Sequence, residues 1–410
     1  MATLFSHTIR DPLWKDIPLS EGFKALYQSS AMQHLNGIKQ LGPAYLLYPG
    51  AVHSRLNHSL GVYHATRLIL EALEGSHPLR PNEVNALLAA ALLHDIGHFP
   101  YAHALKDIVR VDHETLAARI LEKDEQLQMV LQDSLDVESQ DVASIIDTSI
   151  SGATAPILFS RNILSGTLDP DKLDYLSRDA LFCGIPYGIQ DASYIIRNLS
   201  LSPAGRLSLP LEAIGSIHAL LFAKHSMYRT VYWHPVTRSA TAMIKKAVLL
   251  GFEEQLFSEQ DLYGLDDASF GQLMRTENSL SKALYDRVQV GRLFKPLISK
   301  PYLTGRMYAD FALRQEAEKE VWEALSPHFP DLRLSDVIVD IPEEISFEAD
   351  IPLKTEQGSY IRFAEADTLF SPTVISSFVS SLRMLRLYVS PEVITPFSVS
   401  LCKGVLHHYD

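Results

Sequence analysis

The sequence predicts a mostly α-helical protein that closes with a small α+β part, and three features of the 410-residue chain carry that expectation. Apolar residues recur at helical spacing through most of residues 21–335. The run Ala86 to Leu93 is apolar all round, as a helix buried on every side would be. From residue 336 the pattern shifts to short strand-like stretches. At 47% apolar and 21% charged residues, the composition is that of a folded globular protein. We divide the chain into a helical core over residues 1–252, a helical extension over 253–335 and a small α+β part over 336–410.

Residues 1–20, where Pro12 and Pro18 flank short apolar pieces, suggest a ribbon. Phe23, Leu26, Tyr27, Met32, Leu35, Ile38 and Leu41 predict one helix over 21–41, stopped by Gly42-Pro43, with a loop over 45–50. Arg55-Leu56-Asn57-His58 opens the next helix, whose apolar stripe is Leu60, Ala65, Leu68, Ile69 and Leu73. Pro81 begins the buried helix, expected to run on to Pro100. His94 and Asp95 then enter low dielectric, His98 sits in the last turn and His103 lies beyond it. Another helix is expected over 113–121, and shorter ones over 123–150. Asp169-Pro170 starts a helix on which Asp171, Asp174 and Arg178 share a face and Tyr175 and Asp179 an adjacent one. Residues 211–252 and most of 253–335 read as helical. Strands are expected at 336–341, 345–351, 359–363 and 385–389, the second and third joined across 355–358, with a helix over 373–383.

The formal charge of −13 argues against nucleic acid as the main ligand, although a local basic pocket for a small polyanion stays open. Cys183 and Cys402 make neither a disulfide framework nor a thiolate zinc site, which fits a reducing compartment. No apolar run reaches about 18 residues and Met1 to His7 lack a signal-peptide pattern, so a cytoplasmic protein with no membrane span is expected.

Three histidines and a carboxylate, His94, Asp95, His98 and His103, fall within ten residues. A buried Asp beside a His needs a cation, hydrogen bonds or a solvated cleft, because an unpaired polar group costs roughly 2–7 kcal/mol. His58, His94, Asp95 and Asp171 could together build a mononuclear or dinuclear site, although no local spacing links them. Mixed imidazole and carboxylate ligation suits Mn, Fe, Co, Ni or Zn in an open site better than a closed structural zinc. Such a metal activates water and offsets phosphoryl charge, while His98 and His103 can move protons. Each feature also has a plain structural reading. His94-Asp95 can be a hydrogen-bonded pair, His58 a helix-start residue, Asp171 to Asp179 a charged face, and Tyr228, Tyr232 and Trp233 core aromatics. The sequence carries no phosphate loop, GxSxG elbow, HExxH or GxGxxG.

Taken in order, Ile38-Lys39-Gln40-Leu41-Gly42, Arg55 to Val62, His94-Asp95-Ile96-Gly97-His98, His103, His113-Glu114 and Asp171 to Asp179 resemble the HD-domain phosphohydrolases. Within them the resemblance is to the deoxynucleoside triphosphate triphosphohydrolases, over about residues 8–250. It implies an HD-domain helical core and one divalent transition metal per site on His58, His94, Asp95 and Asp171, with additional Mg accompanying the nucleotide as a further expectation. It puts Arg55 and Lys172 on phosphates, and His98, His103 and His113 around the reacting α-phosphate, with His103 donating to the leaving 5′-oxygen. Gln40, Leu41, Tyr175 and Asp179 would hold the sugar, Asp179 accepting from a 3′-hydroxyl and Tyr175 crowding a 2′-hydroxyl, and Tyr232 would line the nucleoside pocket. The implied products are a deoxynucleoside and intact triphosphate. The implied partners are a small nucleotide and further copies of the chain, in a dimer or tetramer.

This chain departs from the family pattern in places. Lys224 stands where a phosphate-binding Arg is common, replacing a planar fork by a point charge. Tyr228 and Trp233 replace a His and a Gln near the nucleoside. Lys106 replaces a carboxylate, and Asp107, four residues after His103, is the expected substitute for orienting that imidazole. Gln28 and Asn36 stand where a mammalian member of the family has an Asp and an Arg that read guanine in an activator site, so activation by GTP or dGTP is expected to be absent or to use other contacts. Two alternatives stay open: another HD phosphohydrolase acting on nucleotide phosphomonoesters or phosphodiesters, and a non-catalytic nucleotide-binding regulator.

Overall fold

The computed structural model describes residues 6–302, 310–345, 347, 350–367 and 369–407. The ribbon is an antiparallel pair, β1 (His7–Asp11) and β2 (Lys15–Leu19), with Ile9 opposite Ile17. The helix expected over 21–41 is broken into α1 (Glu21–Gln28) and α2 (Ser30–His34). Ser29 is extended there, with φ −62° and ψ 153°, and its hydroxyl accepts from the Met32 amide. Apolar spacing runs unbroken through this cap and so conceals it. Residues 38–41 leave the helical path, and Lys39 bridges Ser54, which brings Gln40 beside the next helix.

That helix, α3 (Arg55–Ala72), opens with a reciprocal cap between Ser54 and Asn57. Its first turns are buried on all sides because α4 (Pro81–Leu93) and α10 (Pro170–Cys183) both pack on it. The buried helix α4 ends at Leu93, well short of Pro100, so His98 is not in its last turn. Tight turns take over, with the Ile96 amide on the Leu93 carbonyl and the His98 amide on the Asp95 carbonyl. Gly97 permits this path: a Cβ there would lie 2.1 Å from the His113 carbonyl oxygen. His103 rides on a short helix, α5 (Ala102–Leu105), and His113 begins α6 (His113–Lys123). Behind α4 stand α7 (Glu125–Leu135), α8 (Ser139–Ile146) and α9 (Ala155–Leu164). Leu56, Leu87, Leu92, Leu131, Val142 and Leu173 from these helices share the largest core. Each such side chain contributes about 1.5–3 kcal/mol by leaving water.

After α11 (Ala192–Arg197) and strands β3 (Ser200–Leu201) and β4 (Leu207–Pro210) come α12 (Ile214–Met227), a π-helical turn over Tyr228–Tyr232 and α13 (Pro235–Glu253). Residues 211–252 are mostly helical as expected, in separate helices divided at Trp233-His234, where Pro235 starts a new helix without a donor. Then follow α14 (Asp267–Leu273), α15 (Leu280–Gln289), β5 (Lys295–Pro301), α16 (Phe311–Leu325) and β6 (Val337–Asp340). Strands β7 (Pro352–Lys354), β8 (Tyr360–Arg362) and β9 (Met384–Val389) complete two small sheets, ordered β3-β4-β7-β8 and β5-β9-β6. β5 falls in the stretch expected to be mostly helical; as an edge strand with a bulge it tolerates Pro296 and Pro301. β8 pairs with β7, with Lys354 opposite Tyr360, in place of the expected 345–351. The described residues of 345–351 carry no strand, and residues 346, 348 and 349 lie outside the described ones. The architecture is mostly helical with small sheets toward the C-terminal end, as the sequence predicts. Both cysteines are free, and no helix among the described residues is long and apolar enough to cross a membrane.

Candidate metal centre and active site

α3, the turn after α4 and α10 meet at one point. The cap at Ser54 places His58 one turn into α3, almost fully buried. Its Nδ1 is 2.8 Å from Asp174 Oδ2 and its Nε2 is 2.9 Å from Asp171 Oδ1. Burial alone would lower this imidazole, but hydrogen bonds to Asp171 and Asp174 push it up to about 10. Asp174 is itself fixed: it accepts from Trp14 Nε1 at 2.6 Å on the ribbon and from Arg178 at 2.8 Å, and Arg178 also holds Asp11 at 2.7 Å. Close packing is a condition of this arrangement, since a Cβ on Gly61 would sit 1.8 Å from Asp174 Oδ1.

His94 spends its Nδ1 on the Ala91 carbonyl at 3.0 Å, and its ring meets that of His58 edge-on at 5.3 Å. Asp95 accepts from Arg55 at 2.9 Å on one oxygen and lies 3.2 Å from His98 Nε2 on the other. Burial would raise the Asp95 carboxyl, but His94, His98 and Arg55 hold it well below the usual range. Donor atoms of His58, His94 and Asp95 all lie within 4.8 Å of one another, and Asp171 joins through its contact with His58. Both imidazoles have Nδ1 engaged, and each turns Nε2 toward a carboxylate of the group, His58 to Asp171 at 2.9 Å and His94 to Asp95 at 3.4 Å, so these nitrogens and carboxylates are the donors an ion would take.

A second group stands beside the first. His98 and His113 stack at 3.8 Å, and His103 meets them edge-on at 4.8 and 5.1 Å. Burial, with Arg55 next, holds His98 and His103 well below the ordinary imidazole value; burial and His98 take His113 down to about 2. Three neutral imidazoles beside an arginine are poised to receive an anion.

On α10, Asp169 accepts from the Lys172 amide and Pro170 starts the helix, so Asp171, Tyr175 and Asp179 face the same cavity of about 950 Å³. Gln40, Leu41, Arg55, His58, His94, Asp95, His98, His103, His113 and Tyr232 also line it. Tyr232 donates to Asp179 Oδ2 at 2.6 Å. The Gln40 side-chain oxygen is buried with no partner among the described residues. The structure thus brings together thirteen of the sixteen site residues proposed from the sequence.

The other three sit elsewhere. Lys172 and Lys224 line a neighbouring cavity of about 390 Å³ that meets the first at Ser165. Lys172 bonds to the Gly166 carbonyl and pairs with Asp169. Burial, and repulsion from Lys172, push Lys224 down to about 8. Asp107 does not orient His103: its carboxylate turns away to Lys245 and Arg314, whose charges claim it. Trp14, Asp11 and His53, which the sequence did not single out, prove to support the site from positions remote in the chain.

The HD domain family matches residues 55–165, and the HD associated region family matches residues 190–394. An uncharacterised protein of Methanocaldococcus jannaschii is 30% identical over 356 residues, which cover 86% of this chain and 71% of that protein. Human deoxynucleoside triphosphate triphosphohydrolase SAMHD1 is 25% identical over 274 residues, 59% of this chain and 44% of the human one. The chain spans about half the length of several other curated relatives it matches. A crystal structure of a phosphohydrolase from Bacteroides thetaiotaomicron shares the fold with a TM-score of 0.73 at 22% identity, over 94% of this chain and 99% of that one.

Proposed function

This chain belongs to the HD-domain family, an HD domain followed by an HD-associated region, and from that premise we propose that it is a metal-dependent dNTP triphosphohydrolase. One observation carries the reading: a single cavity is lined by a metal-ligand set, three clustered imidazoles and a polar group suited to a sugar, Gln40, Tyr175, Asp179 and Tyr232. The similarity to the human enzyme supports a nucleotide as substrate.

His58, His94, Asp95 and Asp171 would hold a divalent transition metal, for the two Nε2 atoms and the Asp171 and Asp95 carboxylates they face, at 2.9 and 3.4 Å, form a mixed imidazole and carboxylate donor set suited to such an ion. When bound, such a metal polarises a phosphoryl oxygen and makes water a competent nucleophile. The residues supply the rest. Arg55, anchored on Asp95, offsets phosphate charge. The anionic triphosphate, entering among His98, His103 and His113, counters the burial that keeps them neutral and lets His103 take up a proton. Water oxygen bonds to the α-phosphorus and gives up a proton to solvent, the bond to the 5′-oxygen breaks, and that oxygen keeps the electron pair and takes the His103 proton. Lys172 and Lys224 reach the far end of the triphosphate across Ser165, and Asp179 accepts from the 3′-hydroxyl while Tyr175 leaves no room for a 2′-hydroxyl. Chromatography of products after incubation with each dNTP and a divalent metal tests the reading. Deoxynucleoside and intact triphosphate are expected; orthophosphate from nucleotides, or cleavage of a linear dinucleotide, would replace it with a phosphomonoesterase or phosphodiesterase.

A further inference from the structure

We propose that His53 is the positioning residue that sets preference for a 3′-hydroxyl, by holding both walls of the sugar pocket from behind; this rests on the triphosphohydrolase reading. His53 is 3% exposed and does not line the cavity. Its Nε2 is 2.9 Å from Asp179 Oδ1, and its ring stacks on Phe182 at 4.5 Å and 28°. Nδ1 has no partner among the described residues, so the proton belongs on Nε2, which donates to the carboxylate.

Asp179 is thereby gripped on both oxygens, by His53 and by Tyr232, and a carboxylate so held still has lone pairs to offer a substrate hydroxyl. The same residue acts on the opposite wall through its backbone. The Gln40 amide donates to the His53 carbonyl at 3.0 Å, and the Arg55 amide to the Ile38 carbonyl at 2.9 Å, which stitches residues 38–40 to 53–55. One histidine therefore fixes Asp179 through its ring and Gln40 through its carbonyl. Because Asp179 is itself buried, loss of the Nε2 donor leaves its charge under-satisfied and free to rotate away from the sugar. Only the ring part of this device is open to substitution, since any residue at position 53 keeps the carbonyl.

The test compares kcat/KM for a dNTP and its 2′,3′-dideoxy counterpart in the metal-loaded parent, His53→Gln, His53→Asn, Asp179→Asn and the His53→Asn, Asp179→Asn pair. The Gln side-chain amide can reach the Asp179 oxygen that Nε2 reaches, whereas the shorter Asn falls short. His53→Asn should lower the preference for the 3′-hydroxyl roughly tenfold, His53→Gln should recover most of it, and His53→Asn should add little in the Asp179→Asn background. Equal losses on both substrates, no difference between Gln and Asn, or additive effects would overturn the proposal. Nitrogen-15 histidine spectra give a readout without substrate: the His53 Nε2–H signal should move in Asp179→Asn, and an unmoved signal would also overturn it. A parent that releases no deoxynucleoside refutes the reading on which the proposal rests, whereas a parent that does so with variants of unchanged selectivity refutes His53 alone.

Discussion

Asp174→Asn separates the support of the candidate metal centre from the stability of the fold. Asp174 is fully buried and accepts from Trp14 Nε1 at 2.6 Å, His58 Nδ1 at 2.8 Å and Arg178 Nε and Nη2 at 2.8 Å each. A carboxamide keeps the volume but offers one acceptor oxygen and two hydrogens, so at least one of these donors faces another donor. Among the described residues, Arg178 meanwhile keeps only Asp11 as a counter-charge. Breaking a buried pair from one side costs about 3–5 kcal/mol. Loss of the group that orients a ligating imidazole weakens metal binding about 10–100-fold. Asp11→Asn provides the contrast: it removes the other charge from Arg178 and leaves the His58 to Asp174 bond in place. Urea unfolding of the metal-free proteins and calorimetric titration with a divalent transition metal measure the two effects. Both variants should lose stability, and only Asp174→Asn should lose metal affinity by tenfold or more. Equal effects of the two on affinity, or none from Asp174→Asn, would refute the role assigned to this carboxylate.

Other perturbations probe the site from different sides. His94→Ala or Asp95→Ala should abolish bound metal and turnover with far-UV circular dichroism nearly unchanged; full turnover in either removes this site from consideration. Gly97→Ala would set a Cβ 2.1 Å from the His113 carbonyl and 2.5 Å from the Ala117 amide nitrogen, both backbone atoms that cannot swing aside. It should cost about 2 kcal/mol or more and shift α6 with its histidine, so an unchanged Tm and unchanged turnover would contradict the packing described. Burial keeps His113 uncharged in the folded state, down to about 2, whereas the unfolded chain takes up that proton near 6.5. The unfolded state then binds more protons in acid, so this contribution to stability is whole above about pH 6.5 and is lost as pH falls below it. The metal-free His113→Leu protein should therefore lose stability less steeply than the parent between pH 7 and 5, and parallel curves would contradict this.

Much of the fold was legible in residue spacing. The all-apolar run of α4, the Asp169-Pro170 start of α10 and the ribbon each announce themselves within a few residues. What spacing does not carry is where an apolar pattern is interrupted by chemistry: Ser29 caps a new helix inside a continuous stripe, and the tight turns through Gly97 end α4 at Leu93. β5 lies in a stretch read as helical, and its two prolines sit on an edge strand with a bulge. At the site, residues on short motifs were readable, and those that act across the fold were not. Nothing local ties Trp14 to Asp174, 160 residues apart, or His53 to Asp179, 126 apart. Asp107 illustrates the converse, a residue at suitable helical spacing from His103 that two cations draw elsewhere.

The measurement that bears most directly on the proposed chemistry is turnover of a dNTP in oxygen-18 water with the metal-loaded protein, followed by mass spectrometry of both products. Attack at the α-phosphorus with a protonated 5′-oxygen leaving predicts one labelled oxygen in intact triphosphate and none in the deoxynucleoside. Label in orthophosphate, pyrophosphate or a nucleoside monophosphate, or in the deoxynucleoside itself, would contradict it.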